Sequence, residues 1–107
     1  MNNIKKSYGI GIVGCGLIGQ KRAKALGSGG HLIACVDIDI ARAKNLAKES
    51  NAKVFGDFRE LLNLPEVDIV IIATLHDSLA EISIAAIEAA GADAVLVDVE
   101  PEYYTLN

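Results

Sequence analysis

The sequence has no tryptophan, two prolines, two cysteines and an aromatic content of only 5%. With so few large rings, a core must be assembled from Ile, Val, Leu and Ala, the palette of parallel sheets covered by helices. Cys15 and Cys35 are too few for a disulfide scaffold and show no metal-ligand spacing, so a reduced, cytoplasmic protein without a metal site is expected. Basic charge is also scarce. The 10 Lys and Arg residues stand against 14 Asp and Glu, giving a formal charge of −4, and none of them follows Arg59. Phosphate-backbone recognition rests on clustered cations, so no nucleic-acid partner is expected. Lys5, Lys6, Lys21, Arg22 and Lys24 come nearest to a cluster, but the last three fall on a predicted helix and read as its solvated face. Met1 to Tyr8 is polar without an apolar h-region, and no apolar run reaches the ~18 residues a membrane span needs, so neither secretion nor membrane insertion is expected.

What the chain does contain is 51% hydrophobic residues over 107 positions. That length suits one domain, residues 1–107, with one core that buries roughly two thirds of the unfolded surface. Tyr8 to Val13 is a short apolar run ending in glycines, and Leu17 to Leu26 follows with apolar positions at helical spacing, which reads as strand, tight turn, helix. Gly27 to Gly30 breaks that helix, and His31 to Val36, closed by Asp37, is a second strand. Asp39 can cap a helix through about Glu49, with Ile40, Ala43, Leu46 and Ala47 on its apolar stripe. Ala52 to Phe55 is a brief third strand, and Asp57 with Glu60 opens a short helix through Leu62. Val67 to Ala73 has the near-continuous apolar character of a central strand. Ser78 with Glu81 opens the longest helix, to about Ala90, and Ala94 to Val99 supplies a fifth strand. Alternating strands and helices imply right-handed crossovers and an α/β, doubly wound parallel sheet in the order 3-2-1-4-5.

Gly14-Cys15-Gly16-Leu17-Ile18-Gly19 fits the GxGxxG pattern in the context that gives it meaning, after a strand and at the start of a helix. Gly14 permits the tight turn, Gly16 lets the backbone approach a pyrophosphate, and Gly19 lets helix and strand pack closely. The helix amino end adds free N–H groups and the positive end of its dipole. Asp37 lies eighteen positions after Gly19, at the carboxyl end of the second strand, where an acid reads the ribose hydroxyls of NAD and repels the 2′-phosphate of NADP. The expectation is a Rossmann domain that binds NAD(H). Asp39 rivals Asp37 but has a helix to cap, and Arg42 is a candidate for a 2′-phosphate that reads more simply as facing water. At Cys15 a helix amino terminus can lower a thiol pKa, yet that position of the motif tolerates many residues. Ligands of open parallel sheets bind beyond the strands' carboxyl ends, which adds Ile38, Ala73, Thr74 and His76 to the candidate cofactor site. His76 is a conceivable proton shuttle, but it reads more readily as a polar loop residue.

The runs Gly9 to Gly16, Cys35 to Asp39 and Val67 to Thr74, together with Phe55 to Leu62, resemble the glucose-fructose oxidoreductase and inositol dehydrogenase family (Gfo/Idh/MocA) over about residues 8–98. The resemblance implies an amino-terminal NAD(P)-binding half of an enzyme acting on sugar or cyclitol carbons. After Ala-Thr the family has Pro-Asn and then His, whereas this chain has Leu75 and His76. Where the family has Glu-Lys-Pro after its fifth strand, with a lysine that positions substrate and relays a proton, this chain reads Asp98-Val99-Glu100-Pro101. No lysine follows Lys53, so no catalytic residue is carried over, and the family's substrate domain is expected to be absent. Two readings follow. One is an oxidoreductase cofactor domain without turnover by itself; the other is a stand-alone NAD- or nucleotide-sensing module like the regulatory Rossmann domains of transport systems. An uncovered fifth-strand side would favour a homo-oligomer.

Overall fold

The computed structural model describes residues 7–73 and the backbone of residues 94–97. The helix expected over 78–90 and the candidates Thr74 and His76 lie outside the described residues. The elements are β1 (Tyr8–Val13), α1 (Leu17–Lys24), β2 (Gly30–Val36), α2 (Ile40–Ala47), β3 (Lys53–Phe55), α3 (Phe58–Leu62), β4 (Ile69–Ile72) and β5 (Ala94–Val97), with a 3-10 turn at Gly27–Gly29. The strands form one parallel sheet in the order β3-β2-β1-β4-β5. Chain order thus reverses across β1, between β2 and β4, and that reversal is where a ligand crevice opens in sheets of this type.

Side chains of β1 alternate between two apolar layers. Ile10 and Ile12 pack with Leu32, Cys35, Ala43, Ala47 and Ile71 on the face covered by α1 and α2. Val13, Val36, Val70 and Ile72 join Leu61, Leu62 and Val67 on the face covered by α3. The glycines of β1 serve the second face. A Cβ on Gly11 would lie 2.7 Å from Leu61 Cδ2, and one on Gly9 would run into the carbonyl oxygen of Glu66. The Gly-Ile-Gly-Ile alternation therefore lets α3 and the turn before β4 press onto the backbone of β1. A buried carboxylate fastens the same corner, because Asp68 Oδ2 accepts from Gly9 N at 2.8 Å while Asp68 N donates to Gly9 O at 2.8 Å.

Helix starts follow the expected capping chemistry. Asp39 Oδ1 accepts from Ala41 N at 3.1 Å and Asp57 Oδ1 from Arg59 N at 2.9 Å, each satisfying an N–H that the first helical turn leaves without an intrahelical partner. Several elements are shorter than the sequence suggests, for local reasons. α1 stops at Lys24 before the 3-10 turn, where Gly27 adopts φ 62°. Ala52 N donates to Ala47 O, closing α2, so β3 begins at Lys53. Val67 N turns back to Leu64 O, so β4 begins at Ile69.

Candidate functional site

The site is built where β1 hands over to α1. Gly14 takes φ 100°, a backbone region that side chains disfavour, and its N–H donates to Val36 O at 2.8 Å. The chain therefore folds over the end of β2 before turning into the helix. Gly16 is the N-cap of α1 and offers no capping side chain, and the first helical turn carries no acidic residue. The first turn of α1 thus has neither a side-chain cap nor an acid of its own to satisfy its N–H groups and the positive end of its dipole. A Cβ on Gly16 would meet nothing within 4 Å. At Gly19 a Cβ would instead strike the carbonyl oxygen of Gly14, so the loop and α1 are in backbone contact there.

Asp37 closes β2 and is only 8% exposed. Its Oδ2 accepts from Cys15 N at 2.8 Å and its Oδ1 from Asp39 N at 2.9 Å. A carboxylate has about four lone-pair positions, so each oxygen retains capacity for a further donor. The acid and the glycine loop are accordingly one hydrogen-bonded unit. Two apolar side chains stand out beside it, Ile38 at 98% and Leu17 at 65% exposure. Ile18 is half-buried, and Ala73, just past β4, donates its N–H to Val13 O at 2.8 Å. The structure therefore brings Gly14, Cys15, Gly16, Leu17, Ile18, Gly19, Asp37 and Ile38 to one end of the sheet, and Ala73 to the neighbouring strand end.

Cys15 does not have the activated thiol that a helix amino terminus can produce. Its side chain is fully buried and points under the loop, with Sγ donating to Val36 O at 3.4 Å. Its pKa is pushed well up, first by its hydrogen bond with Cys35 and then by burial and nearby negative charge. Asp39 is the cap of α2, as its sequence context suggests, and also holds Arg42, with Nε 3.6 Å from Oδ2. The tie between Asp37 and the Cys15 amide is not visible in a sequence pattern that assigns Asp37 to ribose alone. The only hint was the placement of an acid at the end of the strand over which the glycine loop must fold. Asp68 carried a clearer signal, a single carboxylate at the entry of an otherwise apolar run. Among the described residues no group of three or more His, Cys, Asp or Glu is arranged to hold a metal, and no helix is long and apolar enough to cross a membrane.

A glycine turn at the amino end of α1, beside the reversal point of a parallel sheet, defines an α/β domain of the dinucleotide-binding class. The chain belongs to the Gfo/Idh/MocA oxidoreductase family, NAD-binding Rossmann fold, whose model matches residues 8–98. It is similar to the inositol 2-dehydrogenase of Acidothermus cellulolyticus, with 36% identity over 73 residues, 64% of this chain and 21% of that protein. The chain thus spans about a fifth of the length of this curated relative. Among solved structures, it resembles GenD2 from gentamicin A biosynthesis in complex with NAD, at TM-score 0.80 and 28% identity over 90% of this chain and 28% of that one. It also resembles biliverdin reductase from Synechocystis sp. PCC 6803 in complex with biliverdin and NADP+, at TM-score 0.74 and 27% identity over 83% of this chain and 28% of that one.

Proposed function

We infer that the chain holds NAD(H) as the cofactor domain of an oxidoreductase acting on a sugar or cyclitol. The observation that carries this reading is the pairing of an unobstructed Gly16 at the acid-free amino end of α1 with a buried Asp37 tied to the same loop. The residues fit the group. The α1 end and the amides of the glycine loop suit the pyrophosphate, the remaining lone pairs of Asp37 suit the ribose hydroxyls, and Ile38 and Leu17 offer apolar surface to the rings. When bound, the nicotinamide supplies a hydride acceptor or donor. The chain's own part is to bind and orient it. The inositol 2-dehydrogenase relative supports a polyol as the substrate class of the whole enzyme.

No lysine follows Lys53, so the chain lacks the proton-relaying lysine that the family resemblance implies, and turnover by the chain alone is not expected. Calorimetric titration with NAD, NADH and NADP tests the reading. The expected result is saturable binding with NAD(H) tighter than NADP; equal affinities would remove Asp37 as the reader of the ribose.

A further inference from the structure

The fold of this family takes both cofactors, as the NAD and NADP+ complexes similar to this chain show, so the choice must reside in individual side chains near Asp37. Asp37 is one of them by the reading above. A second is visible one turn along the chain. Asp39 N donates to Asp37 Oδ1 at 2.9 Å, and Asp39 Oδ2 lies 3.6 Å from Arg42 Nε. The carboxylate of Asp37, the residue Asp39 and the guanidinium of Arg42 therefore form one chain of contacts at the amino end of α2. A guanidinium is the side chain best shaped to fork onto a phosphate. Here it is turned onto the carboxylate of Asp39, whose amide touches Asp37, the residue beside which a 2′-phosphate would arrive on the NAD-binding reading.

We propose that Asp39 is a specificity-determining positioning residue, which favours NAD over NADP by neutralising Arg42 and holding it on the cap of α2. The inference rests on the NAD-binding reading. Asp39 has three tasks in this arrangement: its side chain caps α2 through Ala41 N, its amide orients Asp37, and its second carboxylate oxygen occupies Arg42. The last sets whether the charge of Arg42 is available to a 2′-phosphate. Both side chains are more than half exposed, so the pair itself is weak and a competing phosphate can draw Arg42 away once Asp39 is neutral.

The separating substitution is Asp39→Asn, because asparagine is an equally good N-cap and the backbone amide to Asp37 is untouched. Calorimetric titrations with NAD and NADP are run on the unmodified chain, Asp39→Asn, Arg42→Ala and the double variant, with melting curves to check folding and Asp39→Ser as a second capping variant. Asp39→Asn is expected to tighten NADP binding roughly three- to tenfold, and adding Arg42→Ala should remove most of that gain. Arg42→Ala in the unmodified background should change NADP affinity by less than about twofold. A gain that survives loss of Arg42, or no gain in either capping variant, overturns the proposal while leaving NAD binding intact. An unmodified chain that binds neither cofactor overturns the cofactor reading and this proposal with it.

Discussion

Substituting alanine at two glycines of the same loop should separate binding from stability. At Gly19 the added methyl carbon would run into the carbonyl oxygen of Gly14 and come within 3.0 Å of its carbon. Both are backbone atoms, so no rotamer change relieves the contact and α1 must move off β1. Overpacking costs about 1–3 kcal/mol in cores that can adjust, and with backbone on both sides the upper end, about 3 kcal/mol, is expected. For a domain of this size that corresponds to a fall in Tm of roughly 12–24 °C. The total stability of such a domain is about 5–15 kcal/mol, so Gly19→Ala should still be folded at 25 °C. At Gly16 the added methyl meets nothing within 4 Å, and φ −78° is open to any residue. Its stability should stay within about 0.5 kcal/mol of the unmodified chain. On the proposed reading its position at the α1 amino end is the path of the pyrophosphate, so NAD affinity should fall about ten- to hundredfold. Thermal melts followed by circular dichroism, paired with calorimetric NAD titrations, read both quantities. A Gly16→Ala chain that binds NAD normally would refute the assignment of this loop as the phosphate site. A Gly19→Ala chain that melts like the unmodified one would refute the packing argument.

Other expectations can be checked with the same protein. Asp37→Ala removes the carboxylate proposed to read the ribose and leaves the buried Cys15 amide without its acceptor. Hydrogen bonds to charged groups are worth about 1.5–3 kcal/mol, so NAD affinity should drop ten- to hundredfold and Tm should fall as well; unchanged melting would show that the loop tie is dispensable. Cys15 and Cys35 are both fully buried, so a thiol reagent such as DTNB should react with neither in the native state and with both in denaturant, while rapid native labelling would contradict the inward-facing thiols. NADH absorbance across a panel of sugars, inositols and sugar acids should show no turnover by the chain alone, and activity that survives repurification and vanishes in His76→Ala would make His76 the base. β5 lies at one edge of the described sheet, and exposed strand edges invite pairing, so sedimentation at tens of micromolar should show self-association rather than monomer only.

The strand order and the glycine loop were legible because each rests on local chemistry. Apolar runs bounded by glycine and acid specify strands, Asp39 and Asp57 cap helices through their own side chains, and Gly14 stands where the turn needs a positive φ. Element ends were less legible, since they depend on where individual N–H groups go. Ala52 closes α2 rather than starting β3, and Val67 turns back to Leu64 rather than joining β4. The glycines at positions 9 and 11 have a cause that lies some fifty residues away in the chain, at Leu61 and Glu66. The inward turn of Cys15 likewise depends on Val36 and Cys35, which only the folded sheet places beneath the loop. For these glycines and for Cys15 the deciding partner is distant in sequence, beyond the reach of periodicity and spacing.

The two buried aspartates also give β1 a fixed length. Asp68 holds the amide of Gly9 where the strand enters the sheet, and Asp37 holds the amide of Cys15 just past where it leaves. Between those anchors the pairing with β2 already absorbs one irregularity, at Ile10 and Gly11. A residue inserted or deleted between positions 9 and 15 would pull one amide off its carboxylate and flip the strand's two faces, exchanging the layer that meets α3 for the layer that meets α1 and α2. In descendants of this gene, Ile10, Ile12 and Val13 can therefore drift among branched apolar types more readily than Gly9 and Gly11, which have no room for a Cβ, or than the count of residues between the two carboxylate clasps.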